Sequence, residues 1–175
     1  NLNRLLQEAL NPKAPGKREI LWGERVFRVG DRIMQTRNDY DVVWQKADGT
    51  VGTGMFNGDV GRIVEIDQSG EWLALDFDGR TAPYSTEMLS EIDLAYAQTV
   101  HKAQGSEYRC VVLATMPSAP SLMVRGVLYT ALTRARKLLV MVGDDAAVRS
   151  MAANDKQQKR YSGLKWRLCH AGENG

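Results

Sequence analysis

The chain has 175 residues, of which 43% are hydrophobic and 25% charged, with a formal net charge of +2. This length suits one core, or one core plus a small inserted module, and the composition is ordinary for a soluble globular protein. No apolar run approaches the ~20 residues of a membrane-spanning helix, and no signal-peptide pattern is present, so we expect a cytoplasmic protein without membrane association.

The two cysteines argue against a metal site or a disulfide framework. Cys110 and Cys169 are far apart, and only two histidines accompany them, so no metal-ligand spacing exists. Cys110 lies in an apolar run, which predicts a small core residue in a reducing compartment.

The chain opens with apolar residues at helical spacing, and Asn11-Pro12 ends the pattern. Residues 11–25 contain prolines and glycines and are typical of an exposed connection. From residue 26 to about residue 92, short apolar segments alternate with polar turns, which predicts a small β-barrel.

Within this barrel we predict strands over residues 26–35, 61–67, 71–77 and 80–84. Asp78-Gly79, between the last two, is a tight hairpin signal. Residues 39–55 contain three glycines and predict an elongated, mobile loop.

Beyond the barrel the pattern is that of an α/β domain. We predict strands over residues 94–100, 108–115 and 137–142, the last two apolar enough to be buried on both faces. We also predict helices over 121–135 and 144–151. Asp144 or Asp145 caps the second helix, which we favour over a magnesium-binding strand end. The tail from residue 154 is basic and polar.

No phosphate-binding P-loop is present, since the only Gly-Lys pair, Gly16-Lys17, is followed by Arg18 and lacks the required upstream glycine. A start inside a helix, without methionine, fits a fragment of a longer protein. We therefore expect this chain alone to lack ATPase activity.

Residues 94–109 hold the most informative polar cluster: Thr99, His101, Lys102 and Gln104, followed by a turn at Gly105. If buried, each of these side chains would need a hydrogen-bond partner. Clustered beside a glycine turn, they suit a ligand rich in acceptor oxygens, such as phosphate.

Four segments, in order, resemble RecD-like superfamily 1B DNA helicases. Residues 101–107 (HKAQGSE) resemble motif V, and residues 128–136 (LYTALTRAR) resemble motif VI. Residues 27–35 and 56–61 are similar to the SH3-like insertion of these helicases, and residues 2–12 are similar to the segment that precedes it. The chain is thereby identified as a member of this family, the exodeoxyribonuclease V α-subunit type.

The resemblance implies an α/β fold, the second RecA-like motor domain (2A), with a parallel sheet and flanking helices. This domain would occupy residues 1–25 and 93–153, interrupted by the SH3-like barrel (2B) at 26–92, with a C-terminal tail at 154–175. The chain would be the C-terminal part of an ATP-dependent 5′–3′ DNA helicase. Single-stranded DNA and the N-terminal RecA-like domain of the parent, which would hold most of the ATP and Mg²⁺, are the implied partners. Whether RecB- and RecC-like subunits are further partners stays an open alternative.

For nucleotide chemistry, the resemblance implies that Arg134 is an arginine finger for the γ-phosphate. The alternative is an arginine paired with a surface carboxylate. Arg136 suits phosphate, DNA or a local carboxylate. Gly105 and Glu107 would lie on the nucleotide side, with the Glu107 carboxylate accepting a hydrogen bond from a ribose hydroxyl. Gln104 would serve either the nucleotide or the DNA.

For DNA, the resemblance implies backbone contacts from Thr99 and His101, with Lys102 serving either side. The alternative for His101 is a hydrogen-bonded core histidine. Tyr40, Trp44 and Phe56 are candidates for stacking on bases, although packing is the stronger expectation for Phe56. The turns at Gly30-Asp31 and at 57–59 should be mainly structural.

Two rival interpretations stay open. One is a Pif1-like or conjugative-relaxase helicase, which shares the His-x-x-Gln-Gly core. The other is a non-catalytic module whose SH3-like barrel binds protein or nucleic acid.

Overall fold

The computed structural model describes residues 2–155, so the predicted tail lies almost wholly outside the described residues. Contacts divide the chain into two compact units that meet in sequence at Lys102 and Ala103. Each unit is described by itself.

The first unit contains one helix and two antiparallel sheets. Helix α1 (Leu2–Leu10) precedes a hairpin of strands β1 (Glu19–Trp22) and β2 (Arg25–Arg28). A seven-stranded sheet follows, with its strands in the order β5-β4-β8-β7-β6-β3-β9 and a 3₁₀-helix (Thr86–Glu91) before the last strand. Its strands are β3 (Arg32–Gln35), β4 (Asp39–Gln45), β5 (Val51–Met55), β6 (Val60–Ile66), β7 (Trp72–Phe77), β8 (Arg80–Ser85) and β9 (Ile92–Leu94).

The predicted small β-barrel is not closed, because the seven-stranded sheet has two edge strands, β5 and β9, among the described residues. The β1–β2 hairpin, which is not paired with this sheet, covers part of its inner face instead. Phe27 of β2 is fully buried in the same apolar core as Leu75 and Tyr84. Side-chain packing, rather than backbone pairing, therefore completes this core.

Strict alternation along β7 shows how the sheet builds its core. Leu73, Leu75 and Phe77 are fully buried, whereas the intervening residues face outward. Burying each such side chain contributes about 1.5–3 kcal/mol. The predicted strands over 61–67, 71–77 and 80–84 are confirmed with small shifts at their ends.

Two predictions at the start of this unit are wrong. The single strand predicted over 26–35 is two strands, because Gly30 adopts a φ of +91° and the Asp31 N–H bonds the Arg28 carbonyl at 2.9 Å. The predicted connection over 11–25 contains β1, which pairs in register with β2 from Glu19↔Arg28 to Trp22↔Arg25.

The predicted mobile loop over 39–55 is a hairpin of β4 and β5, with a register shift between Asp39 and Val43. Its turn is closed by a 2.8 Å bond from the Lys46 N–H to the Thr50 carbonyl and by a 2.9 Å bond from the Thr50 N–H to Asp48 Oδ1. The Trp44 indole lies against Gly52 on the facing strand, so this glycine provides a packing surface. The hairpin predicted at Asp78-Gly79 is confirmed, with φ values of +56° and +82°.

The second unit is a small βαβ structure. Strand β10 (Tyr108–Thr115) pairs in parallel with β11 (Ala135–Gly143), and α2 (Arg125–Leu132) lies between them in the chain. Helix α3 (Asp145–Ala153) follows, and Asp144 caps it by accepting a 2.8 Å bond from the Ala146 N–H, as predicted.

Several details of this unit differ from expectation. No strand covers 95–100, because Leu94 ends β9 in the antiparallel sheet of the first unit. Helix α2 is shorter than the predicted 121–135. The strands predicted to be buried on both faces are largely exposed, as Val112 (71%) shows, since within residues 103–155 only two strands share this sheet. Cys110 is likewise exposed rather than in a core.

A fully buried carboxylate, Asp31, ties the first unit together. Its Oδ1 accepts bonds from the Asn11 amide at 2.6 Å and the Tyr96 hydroxyl at 2.8 Å. Its Oδ2 accepts bonds from the Gln7 amide at 2.6 Å and the Arg28 backbone N–H at 2.7 Å. Four donors from the α1 region, β2 and the segment after β9 thus converge on one side chain, which satisfies a buried charge without a cationic partner.

Replacing Asp31 with Asn should destabilise the chain by about 2–4 kcal/mol, because an NH₂ group would face donors in place of an acceptor oxygen. Urea unfolding measures the free energy of unfolding. The matched control is Asp41→Asn, at an exposed carboxylate on β4, which should change it by less than about 0.5 kcal/mol. Equal stability of the two variants would contradict a central role for Asp31.

Candidate functional site

The segment after β9 is fixed at its base by the Asp31 network and α1. The Ala95 N–H bonds the Arg32 carbonyl at 2.8 Å, and the Ala97 N–H bonds Asn3 Oδ1 at 2.7 Å. Tyr96 donates its hydroxyl to Asp31, and burial, followed by that hydrogen bond, raises the pKa of Tyr96 to about 12. Three consecutive residues are thus held before the predicted DNA-contacting residues begin.

The three predicted DNA-contacting residues lie on an exposed turn directly after this anchor. Thr99, His101 and Lys102 are all exposed, and the Lys102 N–H bonds Thr99 Oγ1 at 3.3 Å. The exposure of His101 rules out the core-histidine alternative. The Thr99 hydroxyl oxygen accepts the hydrogen bond from Lys102, so its O–H group can still donate to another acceptor.

Gln104 and Gly105 lie on the next turn, at the start of the second unit. Both are exposed, Gly105 has a φ of +88°, and the Ser106 N–H bonds the Ala103 carbonyl at 3.2 Å. Apart from Gly105 and its two chain neighbours, no described residue has an atom within 4 Å of the position that a Cβ at Gly105 would take, so the backbone here is open to a ligand.

Arg134 lies between the end of α2 and the start of β11 and is half-buried. Its Nε bonds the Thr130 carbonyl and its Nη1 bonds the Ser106 carbonyl, each at 3.0 Å, while Nη2 bonds Thr133 Oγ1 at 3.3 Å. All of these acceptors are neutral, and no carboxylate pairs with this guanidinium among the described residues. Within residues 2–155 the surface-pair alternative for Arg134 finds no support, and the guanidinium is oriented by neutral acceptors.

Arg136 and Glu107, both predicted on the nucleotide side, form an ion pair with each other. Their side chains are 69% and 48% exposed, and the pair joins the residue before β10 to the second residue of β11. Of the three roles open to Arg136, the structure shows the local carboxylate. A ribose hydroxyl that donates to the Glu107 carboxylate would share that carboxylate with Arg136.

The predicted site residues therefore fall into two groups. Thr99, His101 and Lys102 belong to the first unit, and the other five belong to the second. Within the second unit, the Arg134–Ser106 bond and the Arg136–Glu107 pair bring motif VI residues against the residues after Gly105.

Sequence reasoning missed the anchoring role of α1. Asn3, Gln7 and Asn11 repeat every four residues and form a polar stripe on an otherwise leucine-rich helix. This stripe holds Leu94 and Ala97 through Asn3, and Asp31 through the other two. The four-residue spacing of these amides could have predicted this role, because amides on one face of a helix need hydrogen-bond partners when they are buried.

The aromatic candidates have different surroundings. Tyr40 and Phe56 are exposed and contact each other edge to face, with ring centroids 5.8 Å apart, so the packing expectation for Phe56 is wrong. Trp44 lies against Gly52, with Lys46 and Arg80 each 5.9 Å from its ring.

Within residues 2–155, no cluster of three or more His, Cys, Asp or Glu side chains is arranged to hold a metal ion. No helix in the same range is long and apolar enough to cross a membrane.

Comparisons with known families match both units. A family model described as the ATP-dependent RecD-like DNA helicase SH3 domain matches residues 2–77. A second, described as the UvrD-like helicase C-terminal domain, matches residues 94–142. The first match contains Asp31 and its partners on α1, and the second contains every predicted site residue.

Curated relatives match over most of the chain. The ATP-dependent RecD2 DNA helicase of Deinococcus radiodurans is 35% identical over 97% of this chain. The RecBCD enzyme subunit RecD of Mycolicibacterium smegmatis is 33% identical over 88%. The chain spans 22% and 24% of the lengths of these two relatives.

Among solved structures, a chain from a study of forked-DNA unwinding by two Pif1 helicases matches with a TM-score of 0.53. The match covers 99% of this chain and 42% of that one at 18% identity, which indicates a shared fold.

Stability should fall as the pH rises between about 10 and 12, in part through Tyr96. The unfolded phenol ionises near 10, whereas the folded phenol keeps its proton until about 12, so alkali favours the unfolded state. Tyr96 is partly exposed, and solvent reduces the size of this effect.

The Tyr96→Phe variant isolates this contribution, because Tyr84, whose pKa burial also raises, is retained. The measurement is the free energy of unfolding at about pH 9 and about pH 11.5. At the lower pH the variant should be less stable than the unmodified chain. Its free energy of unfolding should then fall by a smaller amount on going to the higher pH. Identical losses in both proteins would show that Tyr96 is not held as described.

Proposed function

Because the chain belongs to the RecD-like DNA helicases, we propose that it is a motor portion of a longer ATP-dependent helicase that moves along single-stranded DNA. The observation that supports this most is Arg134, whose guanidinium is oriented by three neutral acceptors and has no carboxylate partner within residues 2–155. An arginine is always charged, and its planar donor fork suits a phosphate, so a guanidinium without a counter-charge is available to one.

In the proposed reaction, water attacks the γ-phosphorus of ATP and the bond to the β–γ bridging oxygen breaks. Negative charge spreads over the transferring group, and Arg134 stabilises that charge as an arginine finger. Mg²⁺, which neutralises charge on the phosphates, would be held by the rest of the parent, since residues 2–155 offer no ligand cluster for it. Gln104, Gly105, Glu107 and Arg136 complete the nucleotide side.

DNA would be held by the exposed turn after the anchored segment. The Thr99 hydroxyl, the His101 imidazole and the Lys102 ammonium present hydrogen-bond donors to phosphate oxygens without selecting a base. Such contacts suit a protein that moves along a strand, because they are the same at every nucleotide. The proposed 5′–3′ direction and the cytoplasmic location rest on family resemblance.

Coupling between ATP and DNA would pass through the backbone between Lys102 and Ala103. The DNA-side residues end at Lys102, and the nucleotide-side residues begin at Gln104, with one residue between them. A displacement of the Gly105 turn when ATP is hydrolysed would therefore act directly on the DNA-contacting turn.

The parent would contain an N-terminal RecA-like domain that binds ATP. The relatives support two arrangements of the parent, alone or with RecB- and RecC-like subunits. Both a RecD2 helicase and RecD subunits of RecBCD enzymes match this chain. Copurification of the tagged parent from its own cells distinguishes the two arrangements.

In the parent enzyme, Arg134→Ala should lower ATP turnover by roughly a thousandfold or more. ATP affinity should change much less, because the interaction forms mainly in the transition state. Arg134→Lys should restore only part of the rate, since an ammonium lacks the planar fork of the guanidinium. Steady-state turnover and nucleotide binding are the measurements.

The control is Arg149→Ala, which removes an 84% exposed arginine from α3 and should leave turnover unchanged. Near-normal turnover in Arg134→Ala would reject the finger and leave that arginine a structural role. The chain of 175 residues alone should show no ATP turnover, because it has no P-loop.

His101→Ala in the parent should weaken single-stranded DNA binding and lower DNA-stimulated ATP turnover, with basal turnover kept within about twofold. The reason is that His101 lies on the exposed turn of the first unit, apart in sequence from Arg134. ATP turnover measured with and without oligothymidylate separates the two effects. A loss of basal turnover equal to the loss of stimulated turnover would count against a DNA-binding role.

A further inference from the structure

Helix α1 is held to the first unit by amide side chains, while most of its leucines face outward. Gln7 is 2% exposed, whereas Leu2, Leu5 and Leu10 are 52%, 66% and 68% exposed. An ordinary surface helix does the opposite and buries its apolar stripe. Hydrogen bonds are directional and apolar contacts are not, so the amides of α1 hold neighbouring segments in defined positions.

Asn3 uses both groups of its amide on the segment that leaves β9. Its Nδ2 donates to the Leu94 carbonyl at 2.8 Å, and its Oδ1 accepts from the Ala97 N–H at 2.7 Å. A carbonyl only accepts and a backbone N–H only donates, so these two partners fix which way the amide points. The two bonds hold both ends of the stretch 94–97.

This stretch leads directly into the proposed DNA-binding turn. The Ala97 bond fixes the peptide unit between Tyr96 and Ala97, and Thr99 follows two residues later. Two residues span at most ~7 Å, so the turn stays close to the point where Asn3 holds the chain. Thr99 then closes the turn by accepting the bond from the Lys102 N–H. All of these residues belong to the first unit.

We propose that Asn3 is a positioning residue that holds the turn at Thr99, His101 and Lys102 in the orientation that binds single-stranded DNA. This inference rests on the proposed function and extends it from the DNA-contacting side chains to a residue of α1. Asn3 is neutral and acts through the backbone of Ala97. Without its two bonds, the backbone before the turn gains conformations that it must lose again when DNA binds.

The first test measures binding of fluorescein-labelled oligothymidylate of about 15 nucleotides to the parent enzyme, by fluorescence anisotropy at several salt concentrations. Asn3→Ala should weaken binding about fivefold to thirtyfold, the factor for reordering the backbone of about one residue. The slope of log affinity against log salt should stay the same, because the same phosphates are contacted. Lys102→Ala, which removes a cation, should instead reduce that slope by about 0.7.

A double-mutant cycle supplies a readout that a merely structural role would not move. In a His101→Ala/Lys102→Ala background, adding Asn3→Ala should weaken binding by no more than about twofold. The reason is that the turn which Asn3 positions no longer contributes these contacts, so the effects are not additive. If the full loss persists in that background, Asn3 acts elsewhere and the proposal is overturned.

Amide hydrogen exchange distinguishes a local effect from a general loss of stability. In Asn3→Ala, residues 95–102 should exchange faster, whereas β7, in the interior of the seven-stranded sheet, should exchange as before. Faster exchange in both would make Asn3 a structural residue and overturn the proposal. The control is Asn38→Ala, which removes another amide whose Oδ1 accepts a backbone N–H, that of Asn57 at 2.9 Å. It should change neither the exchange of residues 95–102 nor the affinity.

The same variants separate failure of this inference from failure of the proposed function. If His101→Ala/Lys102→Ala weakens binding and Asn3→Ala does not, the positioning role is rejected and the DNA-binding turn stands. If His101→Ala/Lys102→Ala binds the oligonucleotide as tightly as the unmodified enzyme, the turn is not a DNA contact, and both are rejected.

Discussion

The buried carboxylate of Asp31 is the constraint on which the first unit depends. It collects four hydrogen bonds from elements far apart in the sequence, and no ion pair within residues 2–155 includes it. A buried charge is tolerated only when its hydrogen-bonding capacity is filled. Helix α1, the β2 end and Tyr96 must therefore all be in place together. Because Tyr96 begins the segment that leads to His101, the same network positions the proposed DNA-binding turn.

The arginines divide according to whether their charge is used within the fold. Arg28 pairs with Glu8 and Glu19 and Arg80 pairs with Asp59, and all three ion pairs lie within the first unit. Arg134 is instead held by neutral acceptors, and no ion pair within residues 2–155 includes it. Arginines of the second kind retain a field that an anion can use, and a nucleotide and a nucleic acid backbone are both such anions.

The exposed strands of the second unit have a consistent explanation in this family. A parallel pair is normally covered on both faces, yet β10 and β11 leave Val112 and Leu138 largely exposed. The chain spans about a fifth of the RecD2 relative. The apolar composition of these two segments correctly predicted strands, but the strands are not buried on both faces, because within residues 103–155 only two strands share this sheet.

Local chemistry alone determined much of this protein: the first helix, the Asp78-Gly79 hairpin, the Asp144 cap and the order of the helicase motifs. These depend on spacing and turn residues within a few positions of each other. The open sheet, the ordered 39–55 hairpin and the exposure of Cys110 depend on which distant strands pair and what covers them. The Asp31 network is of this second kind, because only the tertiary structure brings residues separated by tens of positions within hydrogen-bonding distance.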